Sequence, residues 1–247
     1  MSNTFKIIAN VNAGLNDIFG NLVRTYFMFE HKKDSVISFY SPQYSSDNLS
    51  KYFNFNNKIK VIQQEEYLHS KYNHKTSCSD GSLMLNYTTE QINKVFSIKP
   101  EFVNLFKEYN DRICIHFRHM GTENSVSLAE WEFKNYKETF LKIYQPDKRY
   151  LIISDSAKWS SEFLDKDNIE LLIPTTDINP PGCRNDSSRL RNGQLELSIH
   201  QICAAAHCNK IYRTCGNFLN LTRSINDSIE FINFINTNRV QTQATIP

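Results

Sequence analysis

Several things are missing from this chain. No apolar run approaches the ~20 residues that a membrane-spanning helix requires, so the sequence predicts no membrane span. The opening stretch, MSNTFKIIANVNAG, has one lysine and then a very short strand-like run. It lacks an apolar region adequate for a secretion signal. Six cysteines (Cys78, Cys114, Cys183, Cys203, Cys208 and Cys215) are scattered without a CxxC pair. With no secretion signal they read as reduced thiols, and the expected location is the cytoplasm. An excess of either charge is also lacking: 28 Lys and Arg face 26 Asp and Glu, for a net charge of +2. That balance calls for neither nucleic acid nor an anionic membrane as partner. No G-x-S-x-G elbow supports a serine hydrolase, and no internal repeat is visible.

What is there is an aromatic-rich globular composition, with 17 Phe and 12 Tyr among 247 residues, 40% of them hydrophobic. That length allows one large domain or two small ones, each able to bury a core. Short apolar runs, alternating at 35–40 and 111–117, predict strands at 5–10, 35–40, 58–62, 111–117, 149–154, 169–173 and 210–214. Helical spacing predicts helices at 17–30, 89–96, 101–109, 128–144, 156–164 and 191–207, with a last one opening at 216–217. Strands alternating with helices indicate an α/β fold with mostly parallel sheets covered on both faces. Two such halves would face a cleft. The Lys99-Pro100 punctuation divides them: an N-terminal half at 1–98, a C-terminal half at 99–237 and a polar tail at 238–247.

The most informative stretch is DRICIHFRHMG, Asp111 to Gly121. It reads as a short buried strand that ends in Arg118. Ligands of open α/β sheets bind in the crevice beyond the strand ends, and a guanidinium there has two parallel donors that match phosphate oxygens. His116 shares a strand face with Arg118, because side chains alternate. Three further turns could carry chemistry. Val11 to Asn16 leaves the first strand through Gly14, which can take positive φ, with Asn16 or Asp17 as N-cap of the helix that follows. Ser154-Asp155-Ser156 ends another strand. Asp155 there could meet a ribose or a base, or it could cap the next helix. Tyr212 to Phe218, YRTCGNF, would present backbone N–H groups to an anion. Arg184, Arg189 and Arg191 flank a proline-rich loop and read mainly as solvated charge. Metal sets are incomplete. His116 and His119 do not share a strand face, Cys203, His207 and Cys208 lack a fourth ligand, and Ser-Asp-Ser lacks the second acid of a DxD clamp.

Taken in order, N-x-G-L-N-D at 12–17, I-H-F-R-x-x-G at 115–121, S-D at 154–155 and T-C-G-N at 214–217 resemble the fucosyltransferase superfamily. That group includes the α1,2- and α1,6-fucosyltransferases and the protein O-fucosyltransferases. The likeness runs from about residue 5 to 235 as separated islands. It implies a GT-B-like fold of two Rossmann-like halves and a metal-independent glycosyltransferase without a cofactor. Its partners would be a nucleotide sugar, GDP-linked as the first expectation, and a glycan acceptor. On the same likeness Arg118, His116 and Glu123 would be catalytic. Asn12, Gly14, Leu15, Asn16, Asp155, Glu196, Thr214, Cys215, Gly216 and Asn217 would bind the donor. Asp17, like Glu123 and Asp155, is a candidate base. The chain departs from the family's H-x-R-R-G-D: His119 stands in the second basic position, and the acid is displaced to Glu123. Cys215 and Gly216 stand where Ser or Thr is common.

Overall fold

Two separate parallel sheets follow from the alternation of strand and helix in the sequence. In the computed structural model, residues 5–10, 14–77, 82–119, 126–163, 166–176, 192–214 and 216–233 are described. Contacts divide the chain into two compact units, and neither is contiguous. The first holds the described residues as far as Leu105, those of 192–206, and Asn217–Ser228. The second holds the described residues from Phe106 to Thr176, His207–Thr214 with Gly216, and those from Ile229 onward.

The first unit contains β1 (Phe5–Asn10), β2 (Ser35–Tyr40), β3 (Phe53–Phe55), β4 (Ile59–Val61), β5 (His74–Thr76) and β6 (Phe96–Ile98). Its main sheet has the order β4-β2-β1-β5, parallel throughout, and β3 pairs antiparallel with β6. Helix α1 (Leu15–Phe29) buries Ile18, Phe19, Leu22 and Val23. Phe19 is the hub of that packing, with ring centroids 4.4 Å from Phe53, 4.3 Å from Phe96 and 5.5 Å from Phe39. α1 starts two residues before the predicted position. Gly14 is its N-cap, and its carbonyl accepts from the N–H groups of Asp17 (3.0 Å) and Ile18 (3.2 Å). Gly14 has φ −61°, so the positive φ foreseen there is not used. Asp17 instead sits in the first turn, where a carboxylate favours the helix dipole. Short elements fill the stretch that carried little signal, α2 (Ser46–Tyr52) and α3 (Gln64–His69), and the helix expected at 89–96 is the shorter α4 (Thr89–Asn93). α4 is closed by a Thr88–Gln91 capping box and ends before Phe96, which starts a strand. Next comes α5 (Pro100–Val103), and the rest of that predicted helix, Asn104–Asp111, is 3-10.

The second unit is the clearer sheet. β7 (Arg112–Phe117), β8 (Arg149–Ser154), β9 (Ile169–Leu172), β10 (Lys210–Arg213) and β11 (Phe231–Asn233) pair in the order β11-β10-β7-β8-β9, all parallel. β11 had no counterpart in the sequence reading. Ile115 and Phe117 of β7 and Tyr150 and Ile152 of β8 form one apolar face. It is covered by α6 (Val126–Ile143) through Phe133, Tyr136 and Phe140, and by α7 (Trp159–Phe163). Trp159 is fully buried, stacked on Phe117 at 4.1 Å and on Phe163 at 5.4 Å. Such ring pairs contribute roughly 0.5–1.5 kcal/mol beyond area burial. α7 begins at Trp159, three residues later than predicted, so Asp155 is not its N-cap. In the first unit α8 (Asn192–His207), which belongs to it as far as Ala206, buries Leu195, Ile199, Ile202 and Cys203, and the last predicted helix is a 3-10 segment, Phe218–Ser224. Among the described residues no helix is long and apolar enough to cross a membrane.

Candidate functional site

The end of β7 is held by residues that end its neighbouring strands and by one residue of α6. Ser154 Oγ donates to the Phe117 carbonyl (2.9 Å). The Arg118 N–H donates to Thr214 Oγ1 (3.0 Å), and the Arg118 carbonyl accepts from the Tyr136 hydroxyl (3.0 Å). The next N–H, of His119, donates to Asp155 Oδ1 (3.0 Å). The other Asp155 oxygen is ion-paired with the Arg118 guanidinium. One carboxylate thus fixes both the backbone after the strand and the side chain before it. A paired, preorganised guanidinium is the arrangement that recognises planar or tetrahedral oxyanions with little further loss of freedom.

Gly216 completes this corner. Its φ of +80° lies in the left-handed region, where a side chain is strained. A Cβ at that position would stand 3.5 Å from Arg118 Cγ. The turn after β10 therefore lies directly against the Arg118 stem. Thr214 is fully buried. Its N–H donates to the His116 carbonyl (3.2 Å), and its hydroxyl accepts from Arg118 and donates to the same carbonyl (3.4 Å). Thr214 acts here as a clip between β7 and β10.

The two histidines of the motif are both turned inward. His116 is 3% exposed. Burial, then the charges of Arg118 and Arg213, push its pKa down to about 3. At neutral pH it is an uncharged imidazole that can offer one N–H but adds no positive charge. His119 is buried too, and its Nε2 accepts from Trp159 Nε1 (2.9 Å). An indole N–H can only donate, so His119 Nε2 carries no proton and the ring is neutral. It lies among Phe133, Tyr136 and Trp159. The position where a second cation was sought is thus a structural histidine.

In the first unit, Leu15 and Asn16 are buried at the start of α1, and Asn16 Nδ2 lies 3.5 Å from Asp17 Oδ1. Glu196 of α8 is exposed, with its Oε2 2.9 Å from the Tyr52 hydroxyl and 3.4 Å from Lys51 Nζ. The Tyr52 hydrogen bond, and then Lys51, hold its pKa below the ordinary carboxylate value. Asn217 is exposed and accepts from the Asn220 N–H (2.9 Å) at the start of the 3-10 segment. The structure therefore brings together Arg118, His116, Asp155, Thr214 and Gly216 within the second unit. Gly14, Leu15, Asn16, Asp17, Glu196 and Asn217 belong to the first. Asn12, Glu123 and Cys215, with Gly121 and the loop arginines Arg184, Arg189 and Arg191, lie outside the described residues. Among the described residues, no group of three or more His, Cys, Asp or Glu could hold a metal ion.

Sequence reasoning missed two residues that hold this corner: Tyr136, which donates to the Arg118 carbonyl, and Trp159, which donates to His119. Tyr136 and Trp159 look like ordinary core aromatics at helical spacing, and only their polar tips betray a role.

The second unit thus presents a fixed guanidinium, Arg118, at the carboxyl edge of a parallel sheet, in a chain whose two parallel sheets define the expected α/β, GT-B-like fold. Solved structures of fucosyltransferases share this fold. Crystal structures of the NodZ α-1,6-fucosyltransferase, one soaked with GDP-fucose and one co-crystallised with GDP, each superpose with a TM-score of 0.58. Each covers 90% of this chain and 92% of its own at 11% identity. The fucosyltransferase NodZ from Bradyrhizobium gives the same score and coverage at 10% identity. At that identity the likeness is one of fold. No family model and no curated sequence matches the chain.

Proposed function

We propose that the chain is a metal-independent glycosyltransferase. It would move a fucose-like sugar from a GDP-sugar to a glycan hydroxyl with inversion. The observation that carries this reading is Arg118, fixed at the end of β7 by Thr214, Tyr136 and Asp155, in a fold shared with fucosyltransferases whose structures were obtained with GDP and GDP-fucose.

Departure of the nucleotide leaves negative charge on a diphosphate. Fixed donors aimed at that charge stabilise the transition state without reorganising. Arg118 supplies the cation, and neutral His116 can supply a neutral N–H. The sequence offers no second acid beside Asp155 for a DxD metal clamp, which favours the arginine over a divalent ion as the charge stabiliser. Inversion needs a base for the acceptor hydroxyl. Asp155 is committed to Arg118 and the His119 N–H, which makes it the weakest of the three candidates. Glu123 and Asp17 are the two to test.

The test is turnover of a panel of GDP- and UDP-sugars by purified protein, with glycan acceptors and with EDTA present. Arg118→Ala should lower turnover ~10²–10³-fold, the usual cost of losing such a donor. Unchanged turnover in that variant, or activity abolished by EDTA, would overturn the mechanism. One observation favours a second reading, a non-catalytic nucleotide- or glycan-binding module: the second basic position of the motif is an inward, neutral His119. Binding of GDP-sugars without transfer or hydrolysis for any donor would select it.

A further inference from the structure

Asp155 follows the last residue of β8, and both of its oxygens are engaged in the corner around Arg118. Oδ1 accepts from the His119 N–H (3.0 Å), and Oδ2 faces the Arg118 guanidinium. Both ends of this pair are anchored. The His119 ring is tied to Trp159, and the Arg118 backbone to Thr214 and Tyr136. The pair is also shielded from water: the Arg118 side chain is 22% exposed and that of Asp155 11%. Salt screens such a pair much less than an exposed one. The carboxylate therefore stays beside the guanidinium when another anion arrives.

That carboxylate has two opposed effects. It orients the guanidinium, and losing the orientation frees one long side chain, which costs ~2–10-fold in affinity. It also repels any anion that Arg118 grips. At the effective dielectric of ~20 that suits partly buried pairs, two unit charges a guanidinium's width apart weaken binding ~10–100-fold. Repulsion is the larger effect here, because Thr214 and Tyr136 hold the Arg118 backbone whether or not Asp155 carries a charge. Repulsion also grows with the charge of the ligand, and the orientation effect does not.

We propose that Asp155 is a resident counter-anion that limits the grip of Arg118 on a nucleoside diphosphate and sets how the site ranks ligands by charge. It is a positioning residue that acts through Arg118, and it is not a partner of the ribose or the base. This assignment rests on the functional reading above and gives its phosphate site a specificity-determining residue.

The experiment titrates the full chain and its Asp155→Asn, Asp155→Ala and Arg118→Ala variants, and the Asp155→Asn, Arg118→Ala double variant, with GDP, GMP and guanosine by calorimetry at two salt concentrations. Asparagine keeps the shape and an oxygen for the His119 N–H, so the change removes mainly the charge. Asp155→Asn should bind GDP ~10-fold tighter than the parent, the low end of the range once partial exposure is discounted. GMP should gain less and guanosine nothing. The gain should shrink at the higher salt, which a purely structural role would not produce, and it should vanish when Arg118→Ala is added. Asp155→Ala decides the matter if Asp155→Asn does not fold. GDP binding unchanged or weaker in the folded variant, an equal gain for guanosine, or a gain that survives Arg118→Ala would overturn the assignment. The functional reading would still stand if the parent binds GDP and Arg118→Ala does not. A parent protein that binds no GDP would bring down both.

Discussion

Replacing Thr214 by Val tests whether the β7–β10 clip holds Arg118 in place. Valine has nearly the shape of threonine, so the fully buried site keeps its packing. What disappears is the hydroxyl that accepts from the Arg118 N–H at 3.0 Å. That N–H would be left without its partner where water has poor access. A buried donor left unsatisfied costs about 1–3 kcal/mol. The loss of the weaker 3.4 Å bond to the His116 carbonyl should add little, because the Thr214 N–H still reaches that oxygen at 3.2 Å. For a chain of this size each kcal/mol lowers the melting temperature by about 2–4 °C. Thr214→Ser restores the hydroxyl and should recover most of the loss, less a methyl group. The assay is thermal and urea unfolding of parent, Thr214→Val and Thr214→Ser, with GDP titration of each. Because there are two units, the transition should be followed by more than one probe. A Thr214→Val protein as stable as the parent, or a Thr214→Ser protein no better than Thr214→Val, would refute the clip.

Two further outcomes are expected. His116 has its pKa lowered to about 3 when folded, against the ordinary value of 6.5. The unfolded chain therefore binds a proton between those values that the folded chain does not. The stability this neutral histidine confers is complete above pH ~6.5 and is lost as pH falls toward 3, by at most ~1.4 kcal/mol per pH unit. His116→Gln should flatten the stability profile across that window, and a profile parallel to the parent's would count against a neutral buried imidazole. For the Trp159–His119 pair, a double-mutant cycle with Trp159→Phe and His119→Leu should give a coupling of ~1 kcal/mol in unfolding free energy. Additive effects would mean that the hydrogen bond contributes nothing.

Much of this protein was legible in the order of its residues. Alternation in RICIHF and the apolar run YLII in RYLIIS marked β7 and β8, because a parallel strand covered on both faces reads as a nearly continuous apolar stretch. The same logic placed Arg118 at a strand end and Gly216 in a turn. Weaker elements escaped it. β11 is three residues long, and the segments at 104–111 and 218–224 are 3-10 helices whose apolar spacing imitates α-helix. Partnership was not legible at all. The carboxylate of Asp155 turned to Arg118 and not to a helix end, His119 turned to an indole 40 residues away, and Glu196 found a tyrosine 144 residues away. Local spacing records which face of an element is buried. It does not record which strand lies beside which, and the register that sets Arg213 next to His116 exists only once the sheet has formed.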